Sequence, residues 1–176
     1  MSDSNVKKAL ISSALDFLTV VTEIDTSTGT IADLPTIPAA NIAWENRKFE
    51  PPVTDLWSSV FYVPNNPEGR TVGVGGIDEE NGFMQIDFSI PTQSGDESLN
   101  DWYDKARLYF VAGRSFLYAG QSVLVISSGM TQGRVIDNYY RKSLTVFFKA
   151  QVKRPILGAS APTNLVFPYI FPFNLA

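Results

Sequence analysis

The chain has 176 residues, a formal net charge of −4, and neither cysteine nor histidine. Disulfides, thiolate zinc sites, His-based triads and Cys–His dyads are thereby excluded, and an acidic chain is a poor counterion-release partner for nucleic acid. Carboxylates, Lys, Tyr and Ser are the only catalytic groups left, so enzymatic chemistry is disfavoured but not forbidden.

The length suits one domain that buries its own core without a metal or disulfide staple. Charged residues make up 18% of the chain against a usual fraction of about 25%. Either a large core or a surface covered by a partner produces that deficit, and the partner reading is preferred. No apolar run is long enough to cross a bilayer. The opening MSDSNVKKALISSALDFL has Asp3 before its lysines and no small-residue cleavage site, so it does not read as a signal peptide.

In chain order, Val6, Leu10, Ala14, Phe17 and Val21 recur at spacings of three and four, with Ile11, Leu15 and Leu18 widening the stripe. This predicts an amphipathic helix capped by Ser4, its stripe turned to the core. Residues 25–40 are rich in turn formers and read as a surface loop. A short edge strand follows at 41–44. ENRKFEPP is then a turn, because two successive prolines force extended geometry and cannot occupy a central strand. LWSSVFYVP, residues 56–64, reads as a strand with apolar character on both faces. NNPEGR is a turn, and TVGVGG continues as a glycine-marked strand. DEENG reads as a solvated turn. GFMQIDFSIP is the cleanest strand, with Met84, Ile86, Phe88 and Ile90 alternating with polar residues.

A second helix over SLNDWYDKARLYFVAG presents Leu99, Trp102, Ala106, Tyr109 and Phe110 on one side, with Gly113 as its stop. Strands follow at 122–128 and 144–153, with a turn and a possible strand in QGRVIDNYY. In SLTVFFKAQVK, Leu144, Val146, Phe148, Ala150 and Val152 point inward. Phe147 interrupts the outward face and invites a partner. Residues 155–176 differ from the rest. Prolines at 155, 162, 168 and 172 rule out a regular helix, and Phe167, Tyr169, Phe171 and Phe173 are too apolar to stay free in water. The expectation is a domain over 1–154 and an extended C-terminal arm over 155–176. The arm docks on its own domain or, preferably, on a neighbour. The fold class expected is α+β: a mixed, mainly antiparallel sheet flanked by helices.

Chemical motifs are lacking. GVGG fails to complete G-x-G-x-x-G, because Asp78 stands where the last glycine belongs, and neither a P-loop nor a G-x-S-x-G elbow occurs. The carboxylates at 78–80 lack calcium-loop spacing. No spacing selects a glycosidase pair among Asp87, Asp96, Glu97 and Asp104. YYRK at 139–142 mixes aromatic and basic residues as nucleic-acid surfaces do, but reads better as a strand entry with snorkelling side chains. No cofactor or metal is expected.

The order of these pieces resembles the tail terminator, or tail-completion, family of long-tailed bacteriophages, over roughly residues 5–153. The family signature Trp-x-Asn-x-x-Phe-x-Pro-Pro is matched by Trp44, Asn46, Phe49, Pro51 and Pro52, and a Gly-x-x-Gln-Ile strand by Gly82, Gln85 and Ile86. The arm after Arg154 departs from that pattern. The resemblance implies a structural virion protein made in the host bacterial cytoplasm, without catalysis. It implies a homohexameric ring at the head-proximal end of the tail that caps the tube, stops its polymerisation and joins the head connector. DNA would pass through the lumen without specific binding, and no membrane would be involved. On this reading Trp44 and Phe49 anchor a ledge to the sheet, and Asn46, Arg47 and Lys48 belong to a subunit interface with Phe147 and the arm aromatics. The alternatives are another head–tail connector or neck protein, and a small ligand-binding domain.

Overall fold

Two long strands paired along their whole length organise the protein. In the computed structural model, which describes residues 3–27, 29–73, 75–92 and 94–154, β6 (Ile77–Pro91) and β10 (Tyr139–Lys153) run antiparallel from Tyr139 opposite Pro91 to Lys153 opposite Ile77. Alternation sends Met84, Ile86, Phe88 and Ile90 of β6, and Leu144, Val146, Phe148, Ala150 and Val152 of β10, to one buried face. The strand in β6 begins five residues before the alternating stretch, so DEENG is not a turn. Its carboxylates are held within the ladder opposite residues 150–152.

The remaining strands are β1 (Ile24–Thr26), β2 (Gly29–Ile31), β3 (Ile42–Trp44), β4 (Trp57–Pro64), β5 (Glu68–Gly69), β7 (Ser115–Tyr118), β8 (Gln121–Met130) and β9 (Arg134–Ile136). The main sheet has the order β3-β4-β6-β10-β8-β7. It is antiparallel except for the parallel β3–β4 pair, and β5 and β9 are short additions to β6 and β10. A bulge between Phe147 and Phe148 adds curl to the sheet. The fold is therefore the expected α+β class, with four local corrections. Residues 25–40 are not all loop, because β1 and β2 form a separate hairpin. The described residues of TVGVGG form no strand, since the pairing segment lies earlier, at β5. The strand β7 was not foreseen. Gly82 has no turn role: it sits inside β6, where a Cβ would overlap the Val63 carbonyl oxygen.

Two helices, α1 (Asp3–Thr19) and α2 (Glu97–Tyr109), cover the buried face. Ser4 lies inside α1 rather than capping it. Val6, Leu10, Ala14, Phe17 and Leu18 are fully buried, whereas Leu15 is exposed and Val21 lies beyond the helix end. Phe17 is the aromatic hub. Its ring meets Phe88, Trp102, Tyr109 and Phe110 at centroid distances of 5.0–6.4 Å, and Phe88 stacks on Trp102 at 5.0 Å. Leu99, Trp102, Ala106, Tyr109 and Phe110 are all buried. α2 ends at Tyr109, so Gly113 serves the following turn, with φ of 90°.

A lysine sits among the rings of this apolar layer. Lys105 is 0% exposed, and its Nζ lies 5.0 Å from the centre of the Phe17 ring and 4.8 Å from that of Trp102. Nζ donates to the Pro35 carbonyl at 2.6 Å, which ties the 32–38 segment to α2. Burial pulls the amine down to about 8.

Candidate functional site

The curl of the sheet brings its two edges, β3 and β7, to opposite sides of α1, and a cleft of about 990 Å³ opens between them. Its floor is the outward side of α1, including Ile11 and the exposed Leu15. One wall is the segment that starts with β3 and the other is Tyr118 at the tip of β7. Trp44, Arg47, Lys48 and Phe49 all line the cleft, so the structure brings together four of the interface residues singled out from the sequence.

Asn46 does not line it. With φ of 57°, Asn46 supplies the left-handed position that turns the chain after β3, where the Arg47 amide donates to the Trp44 carbonyl at 3.2 Å. Lys7 and Lys8 on α1 belong to the cleft and were not singled out. They fall beside the apolar stripe of α1, and only the approach of the sheet edge turns them into a rim.

The rim has its own electrostatics. Lys7 pairs with Glu45 at 2.7 Å, and Glu45 also accepts from the Tyr62 amide at 3.0 Å. Burial pushes the Glu45 carboxyl up, but the bonds from Lys7 and Tyr62 outweigh this and hold it below its usual range. Lys8 lies 5.8 Å from the centre of the Tyr118 ring. The Lys48–Glu50 pair, at 2.9 Å, is open to solvent and contributes little. Lys7, Lys8, Arg47 and Lys48 thus gather positive charge at one groove of a net acidic chain.

Beyond Phe49 the chain crosses to the other face of the sheet, the one turned away from the helices. Phe49 packs on Trp57 at 5.3 Å, Trp57 meets Tyr139 edge-on at 5.6 Å, and the Tyr139 hydroxyl donates to the Pro52 carbonyl at 3.2 Å. Arg141 completes this half of the face. Its Nε donates to Ser89 Oγ at 3.0 Å, and its guanidinium lies over the Trp57 ring. Beneath this cover Trp57, Ser59, Asp87, Ser89 and Ser143 are all buried. The double proline thus has a structural use, setting an extended strap across a sheet face.

The other half of that face is bare among the described residues. Register places Val63, Phe83 and Phe147 side by side across β4, β6 and β10, with Phe61 and Ile126 adjacent. The Phe83 and Phe147 rings stand 6.0 Å apart, and Phe147 is 48% exposed. Phe147 therefore lies on the opposite face of the sheet from the helix side where the cleft opens. Phe167, Tyr169, Phe171 and Phe173 lie outside the described residues. Among the described residues no cluster of His, Cys, Asp or Glu could hold a metal ion, and no helix is long and apolar enough to cross a membrane.

The architecture defines a small α+β protein whose notable surfaces are a cationic cleft and an uncovered apolar sheet face. The family model for the phage tail terminator protein matches residues 25–148, and the chain belongs to that family. The match runs from the β1 hairpin to within β10 and includes the cleft wall and the strap. One solved structure shares the fold, with a TM-score of 0.62 and 18% identity, covering 86% of this chain and 97% of that one. No curated protein matches the chain. The family is one of structural proteins of the phage tail.

Proposed function

We propose that this protein is a homohexameric ring at the head-proximal end of the tail, which caps the tail tube, stops its growth and presents a docking surface to the head connector. The observation that carries the reading is the tail terminator family match over residues 25–148. One surface and the overall charge support it. The cleft wall at 44–49 is a rigid edge, turned by Asn46 and strapped down by Phe49 and Pro52, with Arg47 and Lys48 exposed. Such an edge suits a subunit contact in which Arg47 and Lys48 meet carboxylates of a neighbour, steering association by charge. In this reading the working unit is a domain over 1–154 with an arm over 155–176. The net charge of −4 leaves DNA free to pass through the lumen without tight phosphate contacts.

The test is the mass of the purified protein with and without tail-tube protein, followed by negative-stain imaging. A six-fold ring, alone or at tube ends, is the expected result. A ring that binds connector but ignores tubes would move the protein to another neck position. A monomer indifferent to both would return attention to the cleft as a small-ligand site.

A further inference from the structure

We infer that the uncovered half of the outer sheet face, the row Val63–Phe83–Phe147, is the seat of the C-terminal arm of a second copy of this chain. The inference rests on the ring reading above. Its first support is the contrast between the two halves of one face. The covered half is sealed by a Phe- and Pro-bearing strap, with Phe49 on Trp57 and Pro52 bonded to Tyr139. The bare half is the more apolar of the two: where the strap covers Trp57 among Ser59, Asp87, Ser89 and Ser143, the open half presents Phe61, Val63, Ile126 and Phe147, each 38–48% exposed. The chain carries one further segment rich in Phe and Pro. Residues 155–176 hold no Asp, Glu, Lys or Arg, and LVFPYIFPF alternates aromatic residues with prolines. An uncharged arm also suits this row better than the cationic cleft, where it would offer no carboxylate to Lys8 or Arg47.

The second support is where the arm starts. Arg154 is clamped at the end of β10. Its amide donates to the Gly76 carbonyl at 2.8 Å, its Nε and Nη2 both donate to Asp78 Oδ1, and its Nη1 donates to the Gly73 carbonyl. The clamp carries the ladder past the last β10 residue, and the strand axis there points away from the chain's own apolar row. That row lies about 20 Å behind, six residues back along β10. Residues 155–166 can span about 37 Å when extended, which places the aromatic run beyond the sheet's end and within reach of an adjacent copy. A return to the chain's own row requires a full reversal at the clamp. In a closed ring each copy then gives one arm and receives one, so no row is left bare.

The absence of cysteine makes the test direct. Phe147→Cys and Phe171→Cys are made in separate full-length chains, mixed, assembled and oxidised. A disulfide between the two different chains, more abundant than that formed when Val72→Cys replaces Phe147→Cys, is the expected result. Val72 is fully exposed and lies off the row. As a second variant, Phe147→Glu should raise the protein concentration needed for half-assembly at least tenfold while leaving the melting temperature of the monomer unchanged. Removal of residues 155–176 should do the same. Rings that form normally in both variants, with cross-linking no greater than the Val72 control, overturn the arm docking while leaving the ring reading intact. A Phe147→Cys/Phe171→Cys double variant that links only within one chain also overturns it.

Discussion

Replacing Lys105 with Met removes the one ammonium buried under the aromatic hub while keeping much of its volume. With the amine held at about 8 rather than 10.5, the charged folded state is disfavoured by about 3 kcal/mol relative to the unfolded chain. Full burial leaves no solvent to screen that cost. The sign follows from proton counting. Below about pH 8 both states are charged and the folded one bears the desolvation. Between about 8 and 10.5 the folded amine releases its proton while the unfolded chain keeps its own, so stability rises with pH. Urea denaturation of the wild-type protein between about pH 7 and about pH 9.5 should show a gain from this group of about 2 kcal/mol. Tyr109 does not oppose the gain in that window. Burial raises its hydroxyl, so its contribution to folding is fully present below its ordinary value of 10 and is lost only as the folded phenol ionises at higher pH. In Lys105→Met the pH-dependent rise should vanish. At neutral pH the variant should be as stable as wild type or slightly more so, because relief of the buried charge offsets the lost bond to the Pro35 carbonyl, worth about 1.5–3 kcal/mol for a charged donor. A flat wild-type profile, together with a loss of more than about 3 kcal/mol in the variant, would refute the reasoning. Lys105 would then be a net stabilising staple rather than a tolerated charge.

Other expectations concern the sheet and its end. Gly82→Ala should cost about 1–3 kcal/mol in chemical denaturation, because its Cβ meets the Val63 carbonyl where β4 crosses close to β6. An unchanged midpoint would mean that the end of β4 can move aside. Asp78 and Glu79 are held below their usual range, chiefly by hydrogen bonds from Arg154 and Arg70 respectively. Their support is present above the unfolded carboxylate values and is lost as pH falls through the lower folded ones. Arg154→Gln should therefore reduce the acid sensitivity of unfolding, read as the pH of half-unfolding, and should free the start of the arm to limited proteolysis. An acid profile matching that of wild type would show that the ion pair adds nothing to stability, and an unchanged cleavage pattern that the clamp does not anchor the arm.

Much of this protein is decided by local pattern. Strict alternation in GFMQIDFSIP and SLTVFFKAQVK determines which faces of β6 and β10 are buried, and the three-and-four spacing of Val6, Leu10, Ala14 and Phe17 determines the buried side of α1. Side-chain period is a property of the chain itself, so these elements needed no tertiary information. The ordered signature from Trp44 to Pro52 also made the family legible, because its residues lie close together in the chain. Tertiary structure decided the rest. DEENG looks like a turn by composition, yet pairing with residues 148–152 draws it into a strand, since a long partner overrides weak local preference. Nothing in the sequence marks Lys105, and only the packing of α2 against Phe17 and the 32–38 segment buries it. The cleft depends on curl, which brings together edges more than seventy residues apart and sets Tyr118 across from Trp44. Phe147 stood out by itself, but the row it forms with Val63 and Phe83 exists only through cross-strand register, a relation between strands that no single segment contains.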